Sequence, residues 1–314
     1  MRAERVDADI AAMLEAYAAL QLPPLSSVAP ALARQAVRKM TETATPTPIE
    51  SVENTQIPTP SGTIPVRIYR PRSDIKLPVL VYYHGGGWVL CDLDTHDESC
   101  RKLASAGQCV LVSVDYRLAP EHPFPAGLDD AYAALNWVAA EADALHVDAE
   151  RLAVGGDSAG GNLAAAVALR ARDESGPALA LQLLIYPVTD VARMDTDSYD
   201  AFGRGYRLDS ADMAWFRDQY LDAKTDASQA LVSPLRAADL SGLPAAYVAT
   251  AGFDVLRDEG KAYAAALSEA GVAVQYQCFS GQVHGFMGLA NTIESSALAT
   301  QVIGEQLNQH LSKG

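Results

Sequence analysis

The sequence predicts an α/β protein built around a mainly parallel β-sheet. Short apolar runs recur from residue 79 onward, and each has the length of a buried strand. Helical patterns separate most of these runs, and strands that alternate with helices favour a parallel sheet covered on both faces. The chain has 314 residues and 49% hydrophobic side chains, so it can bury one large core.

The individual elements follow from local patterns. Residues 6–20 carry apolar side chains three and four positions apart, which predicts an amphipathic helix, and residues 31–39 predict a second, weaker helix. Residues 50–71 hold two β-rich runs around a Pro-Ser-Gly turn, the pattern of a hairpin. Six buried strands are then expected: Val79–Tyr83, Cys109–Val114, Leu152–Gly155, Leu181–Tyr186, Ala246–Ala251 and Val272–Phe279. Helices are expected, among others, at Asp129–Ala140, Asn162–Arg172 and Gly260–Ala270.

One interval of the chain, residues 187–244, is much longer than an ordinary connection of about 4–6 residues plus one helix. It contains a helix-like run with Trp215, Phe216 and Tyr220. We expect an inserted element that packs on the body of the protein together with the N-terminal helices. The expected organisation is N-terminal cap helices at 1–45, a core at 46–186 and 245–314, and a cap insertion at 187–244.

Charge and composition exclude several classes of function. The chain has 24 Lys and Arg against 39 Asp and Glu, a net charge of -15, which disfavours nucleic acid and anionic membranes as partners. No stretch of eighteen apolar residues and no basic segment leading into an apolar one occurs, so we expect a cytoplasmic location. Four cysteines show neither a CxxC pair nor the spacing of a metal site, so no metal is expected: Cys91, Cys100, Cys109 and Cys278.

A single serine stands among glycines at 156–160, in the sequence Gly-Asp-Ser-Ala-Gly. This fits the G-x-S-x-G pattern, and it follows a predicted strand and precedes a predicted helix, as that pattern requires. A sharp reversal there strains the serine backbone and leaves no room for side chains two positions away. Ser158 is therefore a candidate nucleophile; the alternative is an N-cap in a glycine-rich turn. A phosphate-binding loop is disfavoured because no lysine follows Gly161.

A serine nucleophile needs a base and a group that orients the base. His284 follows the last predicted strand and Asp254 follows the one before it, so both belong at the same edge of the sheet. The order Ser, Asp, His is the order that G-x-S-x-G hydrolases use. The acids at 258 and 259 are better explained as first-turn residues of the next helix. Ordinary solvated or hydrogen-bonded roles, away from this edge, are expected for His96, His122, His146 and His310.

Donors for a developing oxyanion are expected after the strand Val79–Tyr83. The strand leads into a histidine and three glycines, whose backbone N–H groups a substrate oxygen can approach without obstruction. The N–H after the nucleophile completes such a hole. The candidates are Gly85, Gly86, Gly87 and Ala159.

The sequence resembles the hormone-sensitive-lipase-like (family IV) carboxylesterases of the α/β-hydrolase fold. The resemblance rests on five motifs in the family's order: HGGGW at 84–88, DYRLAPEHPFPA at 115–126, GDSAGGN at 156–162, DVLRDE at 254–259 and HGF at 284–286. The family usually reads Asp-Pro-Leu where this chain reads Asp-Val-Leu at 254–256, a departure that keeps the carboxylate in place.

The resemblance implies a catalytic Ser158, Asp254 and His284, a small-molecule ester substrate of short to medium acyl length, no cofactor and a helical cap. It implies oxyanion donors among the three glycines at 85–87, with Gly86 the safest assignment, and a structural role for the 115–126 loop and its Glu121. A homodimer is among the assemblies it is compatible with. The rival hypotheses are a non-catalytic receptor on the same fold, disfavoured because His284 is present, and an amidase, peptidase or acyltransferase with the same triad.

Overall fold

An eight-stranded sheet runs through the part of the protein that the computed structural model describes, residues 5–41 and 45–312. The strands are β1 (Ser51–Thr59), β2 (Gly62–Arg70), β3 (Leu77–Tyr83), β4 (Val110–Val114), β5 (Val147–Asp157), β6 (Leu181–Ile185), β7 (Ala245–Phe253) and β8 (Val274–Val283). Their spatial order is β1-β2-β4-β3-β5-β6-β7-β8. The ranges predicted for the cap and core also include residues 1–4, 42–44 and 313–314, which lie outside the described residues.

The hairpin β1–β2 is antiparallel, as is the pairing of β2 with β4. All remaining pairs, from β4 through β3, β5, β6 and β7 to β8, are parallel. The carboxyl ends of these six strands therefore lie at one edge of the sheet. The predicted α/β-hydrolase fold, with its mainly parallel sheet, is confirmed.

Nine α-helices accompany the sheet in the described residues. They are α1 (Ala8–Ala19), α2 (Pro30–Thr41), α3 (Asp97–Gly107), α4 (Ala126–Ala140), α5 (Ala159–Asp173), α6 (Asp197–Phe202), α7 (Ser210–Tyr220), α8 (Arg257–Glu269) and α9 (Glu294–Leu311). The alternation of side chains along β3 divides the core. Val79 and Val81 pack into the cluster with α4, α5 and α8, whereas Leu80 and Tyr82 pack into the cluster with α3 and α9.

The strands and helices expected from the sequence are present, with shifted ends. β5 begins at Val147 rather than Leu152, because its first residues include exposed polar side chains that hide the strand pattern. Helices α3 and α9 complete the face opposite α5; the sequence analysis did not name them. In α9, the buried Ile303, Leu307 and Leu311 recur every four residues, which is the signal of a helix that packs on one face.

Helix α2 is held to the loops near the carboxyl ends of β3 and β4 by Arg34. Its guanidinium donates to the carbonyl oxygens of Val89 at 2.7 Å and Ala119 at 2.8 Å, and it makes two hydrogen bonds to Glu121 at 2.9 and 2.7 Å. Helix α7 reaches the same region through Tyr220, which stacks on Trp88 with ring centroids 4.2 Å apart. Both the N-terminal segment and the 187–244 segment therefore contact the loop that follows β3.

Substitution of Arg34 by leucine is expected to loosen α2 from the body of the protein. The change removes charge-assisted bonds to two backbone carbonyls and a partly exposed carboxylate, a loss of about 1–2 kcal/mol of unfolding free energy. Urea unfolding followed by circular dichroism measures it. Arg72→Leu is the matched control. Among the described residues Arg72 pairs with Asp74 alone, on the surface, so its loss should change stability little. Equal effects of the two substitutions would contradict the role of Arg34.

Candidate active site

Ser158 lies in the turn between β5 and α5. Its backbone has φ 55° and ψ -119°, a conformation that costs a non-glycine residue of order 1–3 kcal/mol. A Cβ at Gly156 or Gly160 would overlap the carbonyl oxygen of Tyr83 at the end of β3. The glycines on either side of Ser158 are therefore required by the close approach of β3 to the turn, as the sequence pattern predicted.

The three groups expected to act together are in direct contact. Nε2 of His284 lies 2.9 Å from Oγ of Ser158, and Nδ1 of His284 lies 2.8 Å from Oδ2 of Asp254. Asp254 directly follows β7 and His284 directly follows β8, so the parallel sheet delivers both to the edge where β5 ends. The carboxylate accepts a hydrogen bond from the Nδ1–H group, which leaves the lone pair of Nε2 free to accept the proton of the serine hydroxyl.

Asp254 is held in place by its own turn and by burial. Its Oδ1 accepts the N–H of Leu256 at 2.9 Å, while its Oδ2 faces His284, and the residue is 1% exposed. The His284 ring also packs edge-on against Tyr186, with ring centroids 4.9 Å apart. Backbone and side-chain contacts thus fix the orientation of both groups before any ligand binds.

The glycines after β3 differ in what their N–H groups can do. The N–H of Gly85 donates to Oδ1 of Asp157 at 3.0 Å, so it is not available to a ligand. Gly86 and Gly87 have φ values of 105° and 61°, and within residues 5–41 and 45–312 their N–H groups have no protein acceptor. Ala159 is the first residue of α5, where no preceding turn supplies a carbonyl for its N–H. Three of the four candidate donors remain open to a ligand.

Asp157 is a residue of the site that the sequence analysis missed. It is buried, and its Oδ1 accepts hydrogen bonds from Tyr82 Oη at 2.8 Å and from Gly85. Burial raises the pKa of this carboxyl, but His96 and the hydrogen bond from Tyr82 outweigh that effect and hold it below its usual range. Asp157 is therefore a buried carboxylate that fixes the start of the glycine loop, residues 85–87.

His96 was expected to lie away from this edge of the sheet, and that prediction is wrong. Its Nε2 lies 3.3 Å from Oδ1 of Asp157, the residue before the candidate nucleophile, because the loop between β3 and α3 brings His96 to the end of β5. Glu259 lies in the first turn of α8, as expected, but it is also buried and accepts the N–H groups of Thr189 at 2.7 Å and Asp190 at 3.3 Å. Both roles depend on contacts between distant segments.

An apolar wall stands beside the glycine loop. The ring of Phe216, from α7, lies where a side chain at Gly87 would be, and Sγ of Cys91 would lie 2.9 Å from a Cβ at Gly86. Trp88, the residue after Gly87, stacks on Tyr220 of the same helix. Phe202, at the end of α6, packs with Phe253 and Tyr206 and not with this wall.

Other kinds of site find no counterpart in the described part of the chain. No group of three His, Cys, Asp or Glu side chains there could hold a metal ion. None of its helices is both long and apolar enough to cross a membrane. The geometry at the end of β5 is that of a serine hydrolase: a nucleophile on a strained turn, a base, a buried carboxylate and open N–H donors.

Known proteins that resemble this chain are hydrolases, in agreement with the geometry of the site. A family model described as the alpha/beta hydrolase fold matches residues 80–288. The chain is 48% identical over 268 residues to the carboxylic ester hydrolase LipN of Mycobacterium tuberculosis, covering 83% of this chain and 71% of that protein. It is 42% identical over 254 residues to the ethyl acetate hydrolase of Pseudomonas putida, covering 79% of each.

Solved structures match along nearly the whole chain. An α/β hydrolase enzyme from the metagenome of Lake Arreo superposes with a TM-score of 0.95 at 41% identity, covering 99% of this chain and 100% of that one. A thermostable esterase from Pseudomonas putida gives 0.93 at 38% identity, covering 99% of both. The chain belongs to the α/β-hydrolase fold family, and the resemblance to the hormone-sensitive-lipase-like carboxylesterases is confirmed.

Replacement of Gly160 by alanine is expected to destabilise the protein by about 3 kcal/mol, because the added methyl group would overlap the Tyr83 carbonyl and force β3 and α5 apart. The urea midpoint of unfolding measures the loss. Gly288→Ala is the control: its Cβ would meet nothing within 4 Å, and a change below about 0.5 kcal/mol is expected. A Gly160→Ala protein as stable as the control would refute the steric account of the turn.

Proposed function

We propose that the protein is a serine carboxylesterase that hydrolyses small-molecule esters of short to medium acyl length through an acyl-enzyme on Ser158. The observation that carries the proposal is the continuous hydrogen-bonded series from Asp254 through His284 to Ser158, at 2.8 and 2.9 Å. The ester class is supported by the relatives, which are named as a carboxylic ester hydrolase and an ethyl acetate hydrolase.

Acylation begins with His284. Its Nε2 takes the proton of Ser158 as Oγ attacks the ester carbonyl, and a tetrahedral intermediate forms. Asp254 keeps the imidazole in the required tautomer and stabilises its charged form. His284 then gives the proton to the leaving alcohol, and the C–O bond of the ester breaks. Water repeats the sequence on the acyl-enzyme and releases the acid.

The negative charge of the intermediate falls on the former carbonyl oxygen. The N–H groups of Gly86, Gly87 and Ala159 are the proposed donors, since that of Gly85 is occupied by Asp157. Asp157 acts indirectly, by fixing the loop in which these glycines lie. No cofactor takes part in the proposed cycle, which uses groups of this chain and water.

The N-terminal helices and the 187–244 insertion are the proposed cap. What supports this role is their contact with the glycine loop, through Arg34 from α2 and through Phe216 and Tyr220 from α7. A wall of aromatic side chains this close to the proposed oxyanion donors favours short and medium acyl groups. A cytoplasmic location and a homodimeric state remain predictions; the net charge of -15 favours dissolved esters over anionic lipid surfaces.

Ser158→Ala is expected to reduce kcat/KM by at least about a thousandfold, because the nucleophile is lost while the fold is kept. The assay is hydrolysis of p-nitrophenyl esters from acetate to palmitate, with circular dichroism as the check on folding. Wild-type activity is expected to be highest on the shorter chains.

Two outcomes would contradict the proposal. Equal activity of wild type and the folded Ser158→Ala variant would mean that another group is the nucleophile. A folded wild-type protein that cleaves none of these esters would favour the non-catalytic binding hypothesis. A p-nitroanilide of the same acyl group, assayed in parallel, tests the amidase alternative, and hydrolysis slower than that of the ester by orders of magnitude is expected.

A further inference from the structure

Arg207 is a cation attached directly to the segment that carries the proposed base. It lies between α6 and α7, and its Nη1 donates to the carbonyl oxygen of Gly285 at 2.7 Å and to that of His284 at 3.3 Å. Its backbone φ is 78°, in the left-handed region that non-glycine residues rarely adopt. Because such a conformation is strained, the contacts around Arg207 must hold it there.

The guanidinium of Arg207 lacks an acidic partner. Most arginines in the described residues pair with a carboxylate, as Arg117 does with Asp130 and Arg236 with Asp190. In those residues Arg207 makes no ion pair, although the whole chain carries a net charge of -15. Its Nε and Nη2 donate to no protein acceptor in the same ranges. One nitrogen thus anchors the group, and the other two remain available.

Arg207 lies next to the proposed base, with its guanidinium against the backbone of His284 and Gly285. The charged and polar groups that act on its guanidinium are Tyr186, Tyr17 of α1, Cys91 and Asp157. Tyr186 packs on the His284 ring, Cys91 lies against the glycine loop, and Asp157 precedes the nucleophile. The guanidinium therefore lies beside the backbone of the proposed base, at the start of the turn that follows β8.

Arg207 is exposed to solvent and at the same time crowded by protein. The side chain is accessible, yet loss of hydration lowers the pKa of its guanidinium. Because the residue is exposed, small solutes can reach it from the solvent. A cation that is partly stripped of water and lacks an anion gains by binding one.

We propose that Arg207 binds a carboxylate carried by the alcohol part of the substrate, so that the enzyme favours O-acyl hydroxy acids over neutral esters. This inference rests on the proposed esterase function. His284 gives its proton to the leaving alcohol, so the alcohol part lies beside His284, and Arg207 is anchored to the backbone of that same residue. The planar guanidinium suits a carboxylate because two of its N–H groups can donate in parallel.

The rival explanation is that Arg207 only fixes the His284 loop. A structural role would alter the hydrolysis of all esters alike, whereas a binding role alters the selection between a charged and a neutral ester. The ratio of kcat/KM for two esters of the same shape therefore separates the two explanations, whatever the absolute rates.

The probes are 2-acetoxypropanoate and its neutral counterpart 2-acetoxypropanamide, with hydrolysis followed in a pH-stat. Arg207→Gln is expected to lower the carboxylate-to-amide ratio of kcat/KM about tenfold, as for loss of a charge-assisted hydrogen bond. Arg207→Lys, which keeps the charge, should retain part of the preference. Added salt should lower the ratio of the wild type and leave that of Arg207→Gln unchanged.

Arg204→Gln is the matched control, since Arg204 is an exposed arginine of the same loop, and its ratio should equal that of the wild type. An unchanged ratio in Arg207→Gln would overturn the inference, as would an equal fall in Arg204→Gln. p-Nitrophenyl acetate is assayed in parallel. If the protein cleaves it but Arg207→Gln leaves the ratio unchanged, only the role of Arg207 fails; if the protein cleaves no ester, the proposed function fails.

Discussion

The carbonyl oxygen of Tyr83 lies where a side chain at position 160 would begin, and the arrangement of the site depends on that close approach. Because β3 and the turn after β5 are in contact, the loop that follows β3 starts beside Ser158. The same approach requires glycine on both sides of the serine and holds its backbone in a strained conformation. The close contact of the Tyr83 carbonyl with the turn thus places the nucleophile beside the glycine loop.

The parallel sheet positions the other two groups of the triad. Asp254 and His284 are 30 residues apart in the chain, yet each directly follows a strand, and β7 and β8 end at the same edge as β5. Side chains at this edge therefore meet although their residues are far apart in the chain. The proposed cap then contacts the edge from above, through Phe216 at Gly87 and Arg207 at Gly285.

The sequence could predict the parts of the site that depend on local pattern and chain order. Ser158 stands in a motif that requires a strand and a helix around it, and Asp254 and His284 follow from the ends of strands. It could not show that Asp157 occupies the N–H of Gly85, or that Arg207 reaches the backbone of His284. These contacts join segments far apart in the chain, and no local pattern encodes them.

In the proposed mechanism Ser158 is the group that attacks the ester, and the rest of the cycle depends on it. Its most direct test is reaction of the native protein with a fluorophosphonate, which traps an activated serine, followed by intact mass and peptide mapping. We expect one adduct per chain, on Ser158, formed in parallel with loss of ester hydrolysis. An inactivated protein that carries its adduct on another residue, or an active protein labelled fully at Ser158, would contradict it.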